Sequence, residues 1–438
     1  MLGIQLPSIR CQRHSQPAKD TVHSMLISLM RGLAALQVAA AHLRAEIFPG
    51  LRELADPPLA YQLLAFATAF SHQAVVVFFL ISGWLVGGSL LDKLGQPGAL
   101  RGYAIDRVTR LWTVLLPALL LMLAIGGVTG AVDPSRADLS AANPYSIASF
   151  AGNLFGLQTV LVEPYAGNYA LWSLSNETWY YIQFPLLLLV FAGRGRLVRI
   201  GSATALVLVA ATLPFPITLY FLLWLLGAAF SRIRIDCGNV LRAALLGAAV
   251  AVAVYFRLKG TNDDLKPASF FQHLCYSVPL LALLASLQVP LALRTRPMHW
   301  LARMAHVLSE CSFTLYVMHI PLIALMRYAG ARHLGRDTLS PHAAPDYAIY
   351  GGMLLAIAGA SWLCWWLFES RTGSVRRAIK AALRVGAGNA AMQGITEKAT
   401  ERATERANER TTGRATDRPR AEGRTTATGA PKREVAPE

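Results

Sequence analysis

The chain has 438 residues, of which 54% are hydrophobic and only 15% are charged. That balance excludes an ordinary soluble globular domain. The formal net charge of +16 does not indicate a nucleic-acid partner, because the basic residues lie between long apolar runs, where excess positive charge is typical of cytoplasmic loops.

The N-terminal residues 1–24 are polar and basic, and the first apolar run, from Met25, leads straight into Arg31. This pattern gives no defensible cleavable signal peptide, so we expect a polar N-terminal segment followed by a retained helix. The five cysteines are scattered, odd in number and without CxxC spacing. Neither a disulfide framework nor a metal site is expected.

Apolar runs of about twenty residues recur along the chain, and each is long enough to cross ~30 Å of hydrocarbon. They predict an all-α polytopic membrane protein, a bundle of about ten transmembrane helices. The predicted spans are 25–43, 66–91, 111–131, 169–192, 197–213, 215–231, 240–256, 271–290, 311–329 and 347–369. The stretch 145–162 is moderately apolar but contains polar residues, and it is expected to be interfacial or re-entrant. If it spans the membrane instead, the predicted orientation of every later helix inverts.

Arginine and lysine predict the orientation, since short cytoplasmic loops carry them in excess. With the N-terminus inside, most basic residues fall in cytoplasmic loops, and an even number of spans puts both termini in the cytoplasm. The segment 373–384 is predicted to be a basic amphipathic juxtamembrane segment. Residues 385–438, rich in Thr, Ala, Glu and Arg with a four-residue repeat, are predicted to form a disordered cytoplasmic tail.

The first span contains two ionisable residues, Arg31 and His42. Their separation of eleven residues is close to three helical turns, so both lie on nearly the same face, about 16 Å apart along the axis. Charged groups in a transmembrane helix are costly and normally face protein or a cavity. A single long ligand could contact both, although snorkelling of the two residues to opposite interfaces is the simpler alternative.

Three further places carry polar groups near or within the membrane. Glu177 lies inside a predicted span, where a carboxylate is a functional candidate with an expected basic partner. Arg107 and Arg110 form an i, i+3 pair suited to phosphate, unless they serve only as the positive-inside signal. Tyr316 and His319 are also spaced i, i+3, and Pro321 after them frees a carbonyl, unless this is only a kinked core helix.

Six segments, in this order and spacing, resemble the acyltransferase 3 family of bacterial membrane O-acyltransferases, whose members acylate sugars of surface polysaccharides and related glycans. They are RGLAALQVAAAH (31–42), VVVFFLISGWLV (75–86), RVTRLWTVLLP (107–117), LWSLSNETWYY (171–181), CSFTLYVMHIP (311–321) and FES (368–370). The match covers most of 25–372. The chain departs from the family pattern at FES, where a Glu followed by Pro is commoner, and lacks the hydrolase-like domain of longer members.

The resemblance implies a membrane acyltransferase domain over 25–372 that uses acetyl-CoA or another acyl-CoA as co-substrate, with no tightly bound cofactor and no metal. It implies a saccharide acceptor and a place in the bacterial inner membrane. By position, His42 carries the essential role in acyl transfer, Glu177 is the second candidate catalytic residue, and Arg31, Arg107 and Arg110 bind the donor. The expected acceptor-side or cavity-lining residues are Ser82, Trp172, Ser173, Tyr316 and His319.

The mechanism stays open at this point between two roles of His42, general base and covalent acyl carrier. Glu177 is expected to orient the imidazole of His42 or to pair with a buried arginine. The rival functions are a transporter or flippase, for which the same polar residues would form a substrate path, and a scaffold protein in which they only join helices. No repeated halves of the kind common in transporters are evident.

Overall fold

The computed structural model of the chain is almost entirely helical and describes residues 7–12, 21–132, 139–259, 267–289 and 296–383. Within this part of the chain, seven helical stretches are long and apolar enough to cross a membrane, by length and composition. Helices suit lipid because every backbone N–H and C=O is satisfied within the segment. The all-α, polytopic prediction is confirmed.

Helices α1 to α14 are numbered in chain order among the described residues. They are α1 Val22–Ile47, α2 Leu59–Ala67, α3 Ser71–Ser82, α4 Gly88–Lys93, α5 Ala99–Thr129, α6 Ile147–Leu154, α7 Trp172–Ala192, α8 Arg196–Thr212, α9 Phe215–Phe230, α10 Asn239–Lys259, α11 Pro267–Ser286, α12 Arg296–Glu310, α13 Ser312–Leu334 and α14 Ala344–Leu367. Each of the ten predicted spans coincides with one of these helices or, for 66–91, with α3 and its continuation into α4.

The seven candidate spans are Val22–Glu53, Leu59–Lys93, Ala99–Thr129, Asn239–Lys259, Pro267–Ser286, Ser312–Leu334 and Ala344–Leu383. The other three predicted spans, α7, α8 and α9, are helical but outside this set. Helices α8 and α9 have only 17 and 16 residues, and α7 is rich in polar side chains.

Helix α1 is central, because it packs against α3, α12 and α13. Its buried face is built largely from alanine, and small side chains let membrane helices approach closely. By contrast, α10 buries only Ala249. The position of α1 therefore surrounds Arg31 and His42 with other helices.

Helix α3 passes without a break through a π-helical turn, Gly83–Gly87, into α4. A Cβ on Gly83 would collide with the backbone carbonyl of Trp224 on α9, and one on Gly227 would collide with the carbonyl of Leu80. Glycine at both positions lets the two backbones touch. This contact fixes the turn that carries Ser82.

The segment 145–162 contains one regular helix, α6, of eight residues. At ~1.5 Å per residue it is about 12 Å long, too short to cross the hydrocarbon core. The segment therefore contains no helix long enough to cross, and its interfacial or re-entrant placement stays a prediction.

The N-terminal segment contains a strand that the sequence did not predict. Strand β1, Ser8–Cys11, pairs antiparallel with β2, Ile233–Asp236, in the loop after α9. This pairing brings the N-terminal segment next to the loop after α9. Residues 372–383 are helical, whereas the predicted tail 385–438 lies outside the described residues.

Candidate active site

A cavity of about 510 Å³ lies between α1, α3, α5, α7 and α13. It brings together seven of the ten residues selected from the sequence, although they come from five helices. These seven are Arg31, Ser82, Arg107, Arg110, Ser173, Glu177 and Tyr316. The volume is in the range of ligand pockets, roughly 300–1,000 Å³.

Positive charge dominates the wall of this cavity. The charged lining residues are the cations Arg31, Lys93, Arg107, Arg110 and Arg376 and the carboxylates Asp106 and Glu177. Asp106 lies 3.7 Å from Arg376 in an ion pair. Within the described residues, Arg31, Arg107 and Arg110 form no ion pair with a carboxylate. The cavity is therefore suited to an anion that accepts charge-assisted hydrogen bonds.

Aromatic rings hold the two cavity arginines of α5. The guanidinium carbon of Arg107 lies 5.7 Å from the ring centre of Tyr181 and 5.9 Å from that of Tyr103, and that of Arg110 lies 5.8 Å from Phe313. The buried Nε of Arg107 has no hydrogen-bond partner. Because ring contacts use no N–H group, they orient an arginine while leaving its donors for a ligand.

Arg31 reaches the cavity from α1 and donates a hydrogen bond to the hydroxyl of Ser312, at 3.4 Å. Glu369 lies close enough to interact electrostatically with Arg31 and Arg110. Its carboxylate accepts hydrogen bonds from the hydroxyl of Thr314, at 2.6 Å, and from the Thr314 N–H, at 3.3 Å. The sequence analysis gave Glu369 no role, although a carboxylate at the end of a predicted span was a visible signal.

Glu177 is bonded to hydroxyl groups. Its carboxylate accepts a hydrogen bond from Ser82, at 2.7 Å, and another from Tyr181 one turn further along α7. The indole N–H of Trp224 donates to the same Ser82 hydroxyl, at 3.1 Å. Within the described residues, Glu177 is hydrogen-bonded to these hydroxyls and not to His42, while its charge acts on Arg31 in the same cavity.

His42 lies outside the cavity wall, about three turns beyond Arg31 on α1. Its Nδ1 is 2.8 Å from Nε2 of His319 on α13, and the edge of its ring meets the ring of Tyr169, with centroids 5.1 Å apart. His319 is completely buried. The sequence predicted His319 on the acceptor side or in the cavity lining, but its position is that of a direct partner of His42.

Comparison with known proteins identifies the chain. An acyltransferase domain model, Acyl_transf_3, matches residues 27–368. The chain belongs to the acyltransferase 3 family. No curated protein and no solved structure matches it. The chain is thus a membrane protein of the acyltransferase 3 family, and the matched residues include the cavity arginines of α1 and α5 and the histidine pair.

Tyr316 connects the cavity of this acyltransferase 3 domain to the histidine pair. Its hydroxyl accepts a hydrogen bond from Ser173, at 2.6 Å, and donates one to the carbonyl of Ala170, at 3.2 Å. Its ring lies on the cavity wall and 5.7 Å from the ring of His319, centre to centre. Trp172, also expected to line the cavity, instead packs edge-to-face on Phe79.

Pro321 has the local effect that the sequence predicted. Proline lacks the N–H that would bond to the carbonyl four residues earlier, that of Val317. This carbonyl accepts a hydrogen bond from the side-chain amide of Asn168, at 3.0 Å. The bond ties the turn of α13 that carries Tyr316 and His319 to the loop before α7.

Proposed function

We propose that this protein is an O-acyltransferase that moves an acyl group, in the first instance acetyl, from acyl-CoA to a hydroxyl of an exported or cell-surface saccharide. The observation that carries the proposal is the contact between the cavity and the histidine pair. Arg31, Arg107 and Arg110 line a cavity and form no ion pair among the described residues. Tyr316 lies in the wall of that cavity, and its ring contacts His319, the hydrogen-bond partner of His42.

The arginines make the cavity suitable for the anionic end of coenzyme A. Arg31, Arg107 and Arg110 would bind its phosphates by charge-assisted hydrogen bonds, for which the fork of donors on guanidinium is well shaped. Rings fix the direction of two of them, and the Ser312 hydroxyl fixes that of the third. The donor would enter from the predicted cytoplasmic side.

The chemistry is assigned to His42. From phosphates near Arg31, the pantetheine arm would extend along α1 for about 16 Å, which brings the thioester to the imidazole. His42 would then take a proton from the acceptor hydroxyl as it attacks the thioester, or carry the acyl group itself. If His42 is the base, the saccharide oxygen bonds to the acyl carbon as the carbon–sulfur bond breaks. If it is the carrier, the carbon–sulfur bond breaks as the acyl-histidine forms, and the carbon–nitrogen bond breaks when the saccharide oxygen takes the acyl group. In both cases coenzyme A leaves as a free thiol.

Glu177 is assigned to the donor side rather than to the imidazole. Its hydrogen bond from Tyr181 fixes a ring that contacts Arg107. Ser82 holds the same carboxylate from the other side, and Ser173 holds Tyr316. We assign the acceptor to the region of Tyr316 and His42, and the protein to the bacterial inner membrane with both termini in the cytoplasm.

The test is acyl transfer in native membranes, which supply the acceptor. Membrane vesicles that contain the protein are incubated with radiolabelled acetyl-CoA, and both free thiol and labelled saccharide are measured. An acyltransferase releases one thiol for each acetyl ester formed. Accumulation of intact acetyl-CoA or of unmodified glycan inside the vesicles, without thiol release, would instead identify a transporter.

The acceptor is identified separately. Surface and exported glycans from cells with and without the protein are compared by mass spectrometry. We expect the loss of an ester of defined mass from one class of saccharide. If every glycan keeps all its esters, the saccharide assignment is wrong.

A further inference from the structure

The side chains of His42 and His319 share one hydrogen bond, between Nδ1 of the first and Nε2 of the second, at 2.8 Å. The ring centres are 5.1 Å apart and the ring planes differ by 22°. Because the two nitrogens are so close while the ring centres are 5.1 Å apart, the rings lie end to end, nitrogen to nitrogen, and are not stacked face to face. Because one nitrogen must donate and the other accept, the tautomers of the two rings are coupled.

The other nitrogen of His319 determines which ring donates. Its Nδ1 lies 3.3 Å from the backbone carbonyl oxygen of Leu315, one turn earlier on α13. A carbonyl oxygen only accepts, so Nδ1 of His319 carries a proton. A second proton would charge a ring that is completely buried, which is costly. The Nε2 atom of His319 is therefore an acceptor, and Nδ1 of His42 donates to it.

We infer that His319 is a positioning residue that holds His42 in the tautomer with its proton on Nδ1, leaving the lone pair on Nε2 free for the reaction. This inference rests on the proposed function, because it supplies the base or nucleophile which that function requires. It also explains why the imidazole needs no carboxylate partner.

The groups around His42 support this assignment. They are His319 from α13, the ring of Tyr169, and His72, which interacts electrostatically with it. The next carboxylate along α1, Glu46, is paired with Arg327 at 2.9 Å and accepts a hydrogen bond from Tyr169. Neutral His319 therefore lies beside His42 in the position that the aspartate occupies beside the histidine of a Ser-His-Asp triad.

In the transfer, Nε2 of His42 takes the proton of the acceptor hydroxyl while the hydroxyl oxygen bonds to the thioester carbon. The carbon–sulfur bond breaks, and the proton on Nε2 passes to the thiolate sulfur. Throughout, Nδ1–H of His42 continues to donate to His319. If His42 is the acyl carrier, the same lone pair on Nε2 forms a carbon–nitrogen bond as the carbon–sulfur bond breaks. The acceptor oxygen then bonds to the acyl carbon as the carbon–nitrogen bond breaks, and the hydroxyl proton passes to the thiolate sulfur.

Three variants of α13 test the assignment. His319→Leu removes the acceptor at similar volume, whereas His319→Gln returns an amide oxygen near the position of Nε2. His333→Leu is the matched control, since this exposed histidine lies on the same helix. All three are assayed for thiol release from acetyl-CoA in native membrane vesicles, with protein amounts equalised.

We expect His319→Leu to lower kcat about 100-fold or more, since a wrong histidine tautomer costs about 10⁴-fold in the Ser-His-Asp triad. The KM for acetyl-CoA should stay within about threefold, because the donor site is separate. His319→Gln should recover about tenfold or more of the lost kcat, and His333→Leu should match the wild type. If His319→Leu keeps most of its kcat, or if Gln is no better than Leu, the inference is wrong.

A spectroscopic measurement tests the inference on the wild-type protein, without depending on how the variants fold. The protein is labelled with ¹⁵N-histidine, reconstituted in bilayers and studied by solid-state NMR, with His42→Gln used to assign the His42 signals. We expect an unprotonated Nε2 and a protonated Nδ1 for His42. A proton on Nε2 overturns the inference. Retained activity in His42→Ala would instead overturn the proposed function, whatever the tautomer.

Discussion

The two ends of helix α1 differ in kind. At Arg31 the helix borders a cavity with five cations and two carboxylates in its wall. At His42 it meets a completely buried histidine and an aromatic ring, and the hydrogen bond there is satisfied within the protein. The first end can bind a charged ligand, because its donors are available. The second end is already ordered, as a reacting group must be before its substrate arrives.

This difference predicts that binding and chemistry can be damaged separately. A change near Arg31 should act on donor affinity, and a change at His42 should act on turnover. The link between them is Tyr316, which contributes to the cavity wall and contacts His319.

The largest effect is expected for His42→Ala. Loss of the base or acyl carrier should lower turnover about 10³-fold or more, because general bases contribute about 10²- to 10⁴-fold and nucleophiles comparable or larger factors. The measurement is thiol release from acetyl-CoA at equal protein. Turnover close to that of the wild type would remove His42 from the chemistry.

Arg107→Ala should raise the KM for acetyl-CoA about 10- to 100-fold, since one hydrogen bond to a charged group contributes roughly 1.5–3 kcal/mol. Turnover at saturating donor should change much less. Arg332→Ala, an exposed arginine on α13, is the control and should leave KM unaltered. An equal rise in both variants would point to a general loss of positive charge rather than a specific contact.

Gly83→Ala tests the packing that positions Ser82. The added methyl group meets a backbone carbonyl of α9, so we expect destabilisation of about 1–3 kcal/mol, as for other overpacked sites. Gly247→Ala, where a Cβ meets nothing within 4 Å, should be neutral or stabilising. Thermal unfolding in detergent compares the two. Equal Tm values for the two variants would mean that α3 and α9 can move apart to accommodate the methyl group without loss of stability.

The smallest effect is expected for Glu177→Gln. An amide keeps the shape and can still accept a hydrogen bond from Tyr181 or Ser82, so kcat should change only a few-fold. Loss of one negative charge from a cationic cavity should leave the KM for acetyl-CoA equal or lower. A fall in kcat as large as that of His42→Ala would return Glu177 to the chemistry.

The helices were predictable from the sequence because length and hydropathy determine a membrane span almost without reference to other residues. Helix α12 was not predicted, because its 15 residues, Arg296–Glu310, are amphipathic and too polar on average to stand out as an apolar run. The strand pairing of β1 with β2 was missed for a different reason. It joins four-residue segments more than 220 positions apart.

The residues of the site were largely selected from the sequence, but their partners were not. His42 and His319 are 277 positions apart, so nothing local indicates that they touch. The same holds for Ser82 and Glu177, 95 positions apart. Partners follow from how helices pack, which depends on details such as the contact at Gly83. For the same reason the hydroxyl partners of Glu177 were not foreseen, although it lies in the cavity with Arg31.

The separation of donor binding from chemistry is tested most directly by equilibrium binding of coenzyme A to the wild type, His42→Ala and Arg107→Ala in lipid nanodiscs. We expect His42→Ala to bind with a Kd within about twofold of the wild type, and Arg107→Ala to bind about tenfold more weakly or worse. If His42→Ala loses binding, or if Arg107→Ala keeps it in full, the separation of donor binding from chemistry along α1 is contradicted.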